Sequence, residues 1–159
     1  MDYLAVGAGW LHTLAFLIVL GYYGILGRFI VPALERTLDG PVLARALVAL
    51  ERQAVPFVLL SVVTFIVTGA YLLVADPNYE GLGNVSGSSW ATLMLLKHLL
   101  VAGLVVLGVV VDILIRDLDW AADAVARHAA VRRIRLAAEG TTGLGAVIIL
   151  LTVVAQQDQ

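Results

Sequence analysis

The chain contains no cysteine, which excludes disulfides, thiolate metal sites and thiol nucleophiles. Charge is scarce as well. Only 14% of the 159 residues are Asp, Glu, Lys or Arg, against about a quarter in soluble domains. No Ser-His-Asp arrangement, phosphate-binding loop or zinc signature is present, so the common hydrolase and nucleotide chemistries have no carrier. Low-complexity tracts are absent too. With two methionines and three histidines, few side chains are available to pass a soft metal from site to site. Basic residues are missing from both termini and from the stretch "DPNYEGLGNVSGSS", which carries only Asp76 and Glu80. The net charge of −2 says nothing about partners, because the charges are sorted by side, and no nucleic-acid partner is expected.

What the chain has instead is apolar length. Hydrophobic residues make up 61% of it and the mean hydropathy is +0.97, whereas soluble domains are about 45–50% apolar. Four runs, at residues 4–30, 55–75, 90–115 and 136–155, reach the roughly 20 residues that a membrane span needs. The first has no basic start and its only early charge is Asp2, so it reads as a retained span rather than a cleaved signal. The arginines are sorted between the connections. Arg28, Arg36, Arg45 and Arg52 flank the first, and Arg116, Arg127, Arg132, Arg133 and Arg135 occupy the third. The positive-inside rule then puts these two connections in the cytoplasm, with the second connection and both termini outside the cell membrane. Trp10 and Trp90 are expected near the outer interface and Trp120 near the inner one, as an aromatic belt.

Backbone polar groups must be satisfied internally within a bilayer. The expected architecture is therefore all-α: one domain over residues 1–159, an integral up-down-up-down four-helix bundle. Asp39-Gly40-Pro41 signals a helix start, so "PVLARALVALERQAV" reads as a cytoplasmic extension of the second helix. Pro56 is expected to kink that helix. Asp119 is the expected cap of a matching extension before the fourth span. "ADP" after Val74 ends the second helix, because a residue preceding proline disfavours helix. Gly21, Gly24 and Gly27 suit close helix packing.

Two histidines, His12 and His98, fall inside spans. His12 lies eight residues after Leu4 and His98 eight after Trp90, which places each about 12 Å into its helix. The first and third helices of an up-down bundle are diagonal. Equal depth then lets the two imidazoles face each other, as two axial ligands of a haem iron would. Ala8 and Gly9 beside His12, and Ala102 beside His98, are small enough to leave room for a porphyrin edge. The plainer alternative is a pair of neutral histidines bonded to backbone or hydroxyl groups. Met94, one turn before His98, adds a thioether, and His12, Met94 and His98 together would suit Cu(I). Lys97 stands about 100° around the helix from His98 and needs a partner at that depth. A haem propionate, Asp76 or Glu80 are the candidates. Asp112 and Arg116 form an i, i+4 pair, and Glu139 is placed to meet an arginine. His128 reads as a solvated histidine. Tyr22, Tyr23 and Tyr71 read as packing or interface residues.

At these positions the chain resembles the CopD-like membrane proteins and the related HemJ-type proteins. The resembling stretches are "WLHTLAFLIVLGYYG", "LLSVVTFIVTGAYLLV" and "WATLMLLKHLLVAGLVV", which cover most of residues 10–112. They carry a histidine early in the first span, Thr-Gly late in the second and a lysine in the third. The resemblance implies a helical bundle that handles haem b or copper. Similarity to HemJ-type proteins implies a pairing of His12 with Lys97 and a link to protoporphyrinogen oxidation. Similarity to CopD-type proteins implies copper uptake. The leading expectation is a membrane haem b protein with His12 and His98 as ligands, transferring electrons within a redox complex or a homo-oligomer in the lipid bilayer. The alternatives are a copper protein, a HemJ-like oxidase and a cofactor-free accessory subunit.

Overall fold

The computed structural model describes residues 3–77, 79, 81, 89–120 and 123–157. Its elements are α1 (Tyr3–Ile25), a π-helical turn (Leu26–Ile30), α2 (Val31–Thr37), α3 (Gly40–Ala75), α4 (Ser89–Arg116), a 3-10 turn (Asp117–Trp120) and α5 (Ala124–Gln157). The described residues hold no strand. Four helices are long and apolar enough to cross a membrane. Leucine, isoleucine, valine and phenylalanine side chains such as Leu17, Phe57, Leu60, Leu99, Val106 and Leu150 stand exposed on their outer faces. That surface suits a multi-pass membrane bundle, where lipid takes the place of a covering layer.

The π turn joins α1 to α2 without a break. The Val31 N–H bonds the Leu26 carbonyl, a five-residue step. Pro32 follows immediately in the first turn of α2. It has no N–H to give, and its ring would crowd the Arg28 carbonyl in an ordinary α turn. The wider turn relieves that crowding. Gly27 sits in this turn, where a Cβ would come within 3.0 Å of the Ala138 Cβ and 3.3 Å of the Arg135 carbonyl. A Cβ on Gly24 would touch the Thr142 hydroxyl at 3.5 Å, whereas one on Gly21 would meet nothing within 4 Å. Close packing therefore accounts for Gly24 and Gly27 and not for Gly21.

The extension of the second helix is present. α3 has 36 residues, about 54 Å at 1.5 Å per residue, against a hydrocarbon layer of about 30 Å. Its arginine-bearing first turns thus stand outside the apolar run at residues 55–75. Asp39 is extended, its carbonyl accepts the Leu43 N–H at 2.8 Å, and Pro41 occupies the first turn. Pro56 is accommodated inside the helix, and α3 ends at Ala75 as the "ADP" signal requires. α5 has a matching extension over its first turns, but the cap is Asp123 rather than Asp119. Asp123 Oδ1 accepts the Ala126 N–H at 2.7 Å, while Asp119 belongs to the 3-10 turn.

α1 packs chiefly on α3 and α4 on α5, and lighter contacts of α1 with α5 and of α3 with α4 close the square. α1 and α4 are therefore diagonal. The core is concentrated at the arginine-rich end, where Leu26, Val31, Leu47, Ile115, Leu118 and Ile134 are fully buried. Toward the opposite end the inward residues His12, Phe65, Thr68, Met94 and Lys97 are only half-buried. Trp10 is exposed, but Trp90 is packed inside and its indole N–H has no hydrogen-bond partner among the described residues. Trp90 thus departs from the belt position, and the Trp120 side chain lies outside the described residues.

Candidate cofactor site

His12 on α1 turns toward α3. Its Nδ1 lies 3.0 Å from the Phe65 carbonyl oxygen and 3.1 Å from Thr68 Oγ1. The Thr68 hydroxyl donates its own hydrogen back to the Thr64 carbonyl at 2.6 Å, so towards His12 it presents a lone pair. A carbonyl can only accept. Both partners of Nδ1 are therefore acceptors, which assigns the imidazole hydrogen to Nδ1 and leaves the Nε2 lone pair free. The ring stacks on Phe65 with centroids 4.1 Å apart and planes 20° from parallel, and Phe16, one turn further along α1, also packs on Phe65 with centroids 5.4 Å apart. Gly69 completes the seat, since a Cβ there would stand 2.8 Å from His12 Cε1. The Thr-Gly pair late in the second span thus has a physical task. Thr68 orients His12, and Gly69 lets the ring reach the backbone of α3.

His98 is the tenth residue of α4, as His12 is the tenth of α1. Its Nδ1 lies 2.6 Å from the Met94 carbonyl, which assigns its hydrogen to Nδ1 in the same way and frees Nε2. The side chain is exposed. On α4 the inward stripe recurs every seventh residue, and Trp90, Leu104, Val111 and Leu118 on it are buried. Lys97 belongs to that stripe and His98 stands one position off it. Lys97 is half-buried, and among the described residues no hydrogen bond or ion pair engages its ammonium. Glu80, one of its candidate partners, lies outside the described residues. Lys97 and His98 are both near enough to His12 for their charges to act on it. Met94 is half-buried. Among the described residues no three His, Cys, Asp or Glu side chains gather as a metal site.

The chain matches no family model, no curated protein and no solved structure. The geometry of the site must therefore carry the functional argument. A neutral imidazole with its Nδ1–H held by a carbonyl is the form in which histidine binds a metal, because the second bond orients the ring and makes Nε2 more basic. His12 and His98 both have Nδ1 within hydrogen-bond distance of a carbonyl.

At the arginine-rich end, Arg116 Nε bonds Asp112 Oδ1 at 3.1 Å, as the i, i+4 spacing requires, and its Nη2 also reaches Glu51 Oε1 at 3.5 Å. Glu51 is only 2% exposed. The sequence analysis does not single it out, because a glutamate in an arginine-bearing helical extension looks like any solvated residue. Glu139 meets Arg135 at 4.0 Å. His128 is exposed, 3.9 Å from Glu35. Tyr23 is buried edge-on against Tyr22 and Tyr71 is exposed.

Proposed function

We propose that this chain is an up-down-up-down protein of the cell membrane, with both termini outside the cytoplasm, that binds haem b and carries electrons within a larger redox complex. His12 and His98 would be the axial ligands, and Lys97 would meet an acidic group of the cofactor. The observation that carries this reading is the shared state of the two histidines. Each holds Nδ1 against a backbone carbonyl, at 3.0 Å for His12 and 2.6 Å for His98, which would leave Nε2 of the neutral ring to bind iron. Two further features agree with it. The His12 and Lys97 side chains are only half-buried, and Lys97 has no described counter-ion, so an acidic ligand would meet an unpaired cation. Bound haem would supply a one-electron couple. The chain's own contribution would be to orient two imidazoles, neutralise a carboxylate and exclude water.

The experiment is an optical spectrum of the purified protein beside His12→Ala and His98→Ala. The wild type should give a Soret band and sharp reduced-state bands of six-coordinate low-spin haem. Each substitution should convert that spectrum to a five-coordinate or cofactor-free one. Copper without haem would keep the site and change the cofactor. Loss in one mutant alone would exclude the paired-histidine arrangement.

One observation favours a second reading. Lys97, rather than His98, lies on the inward stripe of α4, which agrees with the His12–Lys97 pairing that the HemJ-type resemblance implies. Turnover of a porphyrinogen that depends on His12 and Lys97 but survives His98→Ala would establish this reading in place of the first.

A further inference from the structure

A groove of about 200 Å³ runs between α1, α3 and α4. Val19, Tyr23, Val58, Val62 and Leu104 line it, with Asp112 at its arginine-rich end. Behind Asp112 stands Glu51, which faces it from α3 and is almost wholly withdrawn from solvent. Arg116 touches both carboxylates, Asp112 at 3.1 Å and Glu51 at 3.5 Å, and is itself 60% exposed. One cation thus serves two carboxylates. With all three groups ionised the cluster carries a net negative charge, part of it buried, which is unfavourable. Binding one proton between the carboxylates removes that charge, as in other close carboxylate pairs. The location matters, because α3 is held mainly by α1 and α4 mainly by α5. The lighter α3–α4 contact is one of the two seams between the helix pairs, while α1 and the π turn stay packed on α5 at the other.

We propose that Glu51, facing Asp112, binds a proton that latches α3 to α4 at the mouth of the groove: loaded, the latch is shut, and unloaded, it opens. The inference is independent of any cofactor at His12. The groups acting on Glu51 are Asp112 and Arg116 from α4, and Tyr22 and Tyr23 of α1 also lie within range. Glu51 precedes the apolar run of α3 at residues 55–75. Burial first, and then the facing Asp112, raise its carboxyl from 4.5 to about 7, against the pull of Arg116. Opening would return Glu51 to water and to its ordinary value. The closed form therefore binds the proton more tightly. Its advantage is full in acid, is lost as pH rises from about 4.5 toward 7, and changes no further above that.

The chain has no cysteine, so Ala49→Cys and Ile113→Cys can carry spin labels on α3 and α4 without background. The distance between them is measured in nanodiscs at about pH 5 and about pH 8. We expect a short distance in acid and a longer population at the higher pH, with Glu51→Gln short at both. An identical distribution at the two pH values, or a response that survives in Glu51→Gln, would overturn the proposal. Asp112→Asn guards against misfolding of the first variant. It leaves one carboxylate for one arginine, so the response should move to lower pH, and a response that stays in place also refutes the latch. Infrared titration reads the proton directly. A carboxylic-acid band should disappear as the distance grows, and should be absent from Glu51→Gln.

Discussion

Gly69 shows how a single missing side chain builds a site. The His12 ring occupies the space where a Cβ would be, 2.8 Å from Cε1, and real contacts of that kind essentially do not occur. Gly69→Ala should force the ring off Phe65 and away from the Phe65 carbonyl and Thr68. Losing a buried hydrogen bond and straining the packing costs about 1–3 kcal/mol, more than the roughly 1 kcal/mol that alanine contributes to a helix over glycine. The melting temperature should fall and any cofactor bound through His12 should be released. Gly21→Ala is the matched control, because a Cβ there meets nothing within 4 Å, and it should be neutral or stabilising. Equal behaviour of the two variants in a thermal melt would show that the seat around His12 is not constrained. Lys97 illustrates the opposite case, a costly side chain retained on an inward stripe. Insertion scales put a lysine at mid-membrane at about 2.5–3.5 kcal/mol, so its presence there calls for a task.

At the scale of elements, the helices are defined by chemistry at their ends. Pro32 accounts for the π turn, Pro41 sits in the first turn of α3, and Asp123 caps α5. The Asp123 cap is open to a direct test. Its carboxylate accepts the Ala126 N–H at 2.7 Å, and replacing such a residue by alanine typically costs about 1 kcal/mol. Asp123→Ala should therefore speed hydrogen exchange at the Ala126 amide about fivefold, while amides in the apolar half of α5 stay protected. Unchanged exchange at Ala126 would mean that tertiary packing, and not the cap, holds that turn. The existence of the α3 and α5 extensions was legible in the sequence, because arginine-bearing amphipathic stretches adjoin the apolar runs. The choice of Asp123 over Asp119 was not. Both aspartates precede helix-forming residues, and only the structure shows that Asp119 is taken up in the 3-10 turn after α4.

For the whole molecule, the arginines collect at one end of the bundle and the half-buried His12 and Lys97 lie toward the other. The positive-inside rule then predicts an orientation. In intact cells, single cysteines introduced at residues 76–89 should react with an impermeant maleimide, and those at residues 124–130 should react only after the membrane is opened. The reverse pattern would invert the side from which ligands, electrons or protons reach each site.

Hydropathy, charge sorting and proline placement are local properties of the chain, so the sequence by itself determined the four long apolar helices, their approximate bounds and the presence of a histidine within two of them. The i, i+4 pair of Asp112 and Arg116 is equally local, because helical periodicity alone brings it together. Only the tertiary structure decided which way each helix turns. That rotation sets Lys97 inward and His98 at the exposed edge, although they are neighbours in the chain. It brings Gly69 of α3 against His12 of α1, and Glu51 against an arginine on α4. These meetings join residues far apart in sequence, and a rotation of one position about a helix axis, about 100°, would exchange Lys97 for His98. Apolar runs that must face lipid on one side and helices on the other carry too little amphipathic contrast to fix that rotation. Packing at the arginine-rich end, where Gly27 meets Ala138 and Leu47 and Ile134 are sealed in the core, supplies the missing constraint.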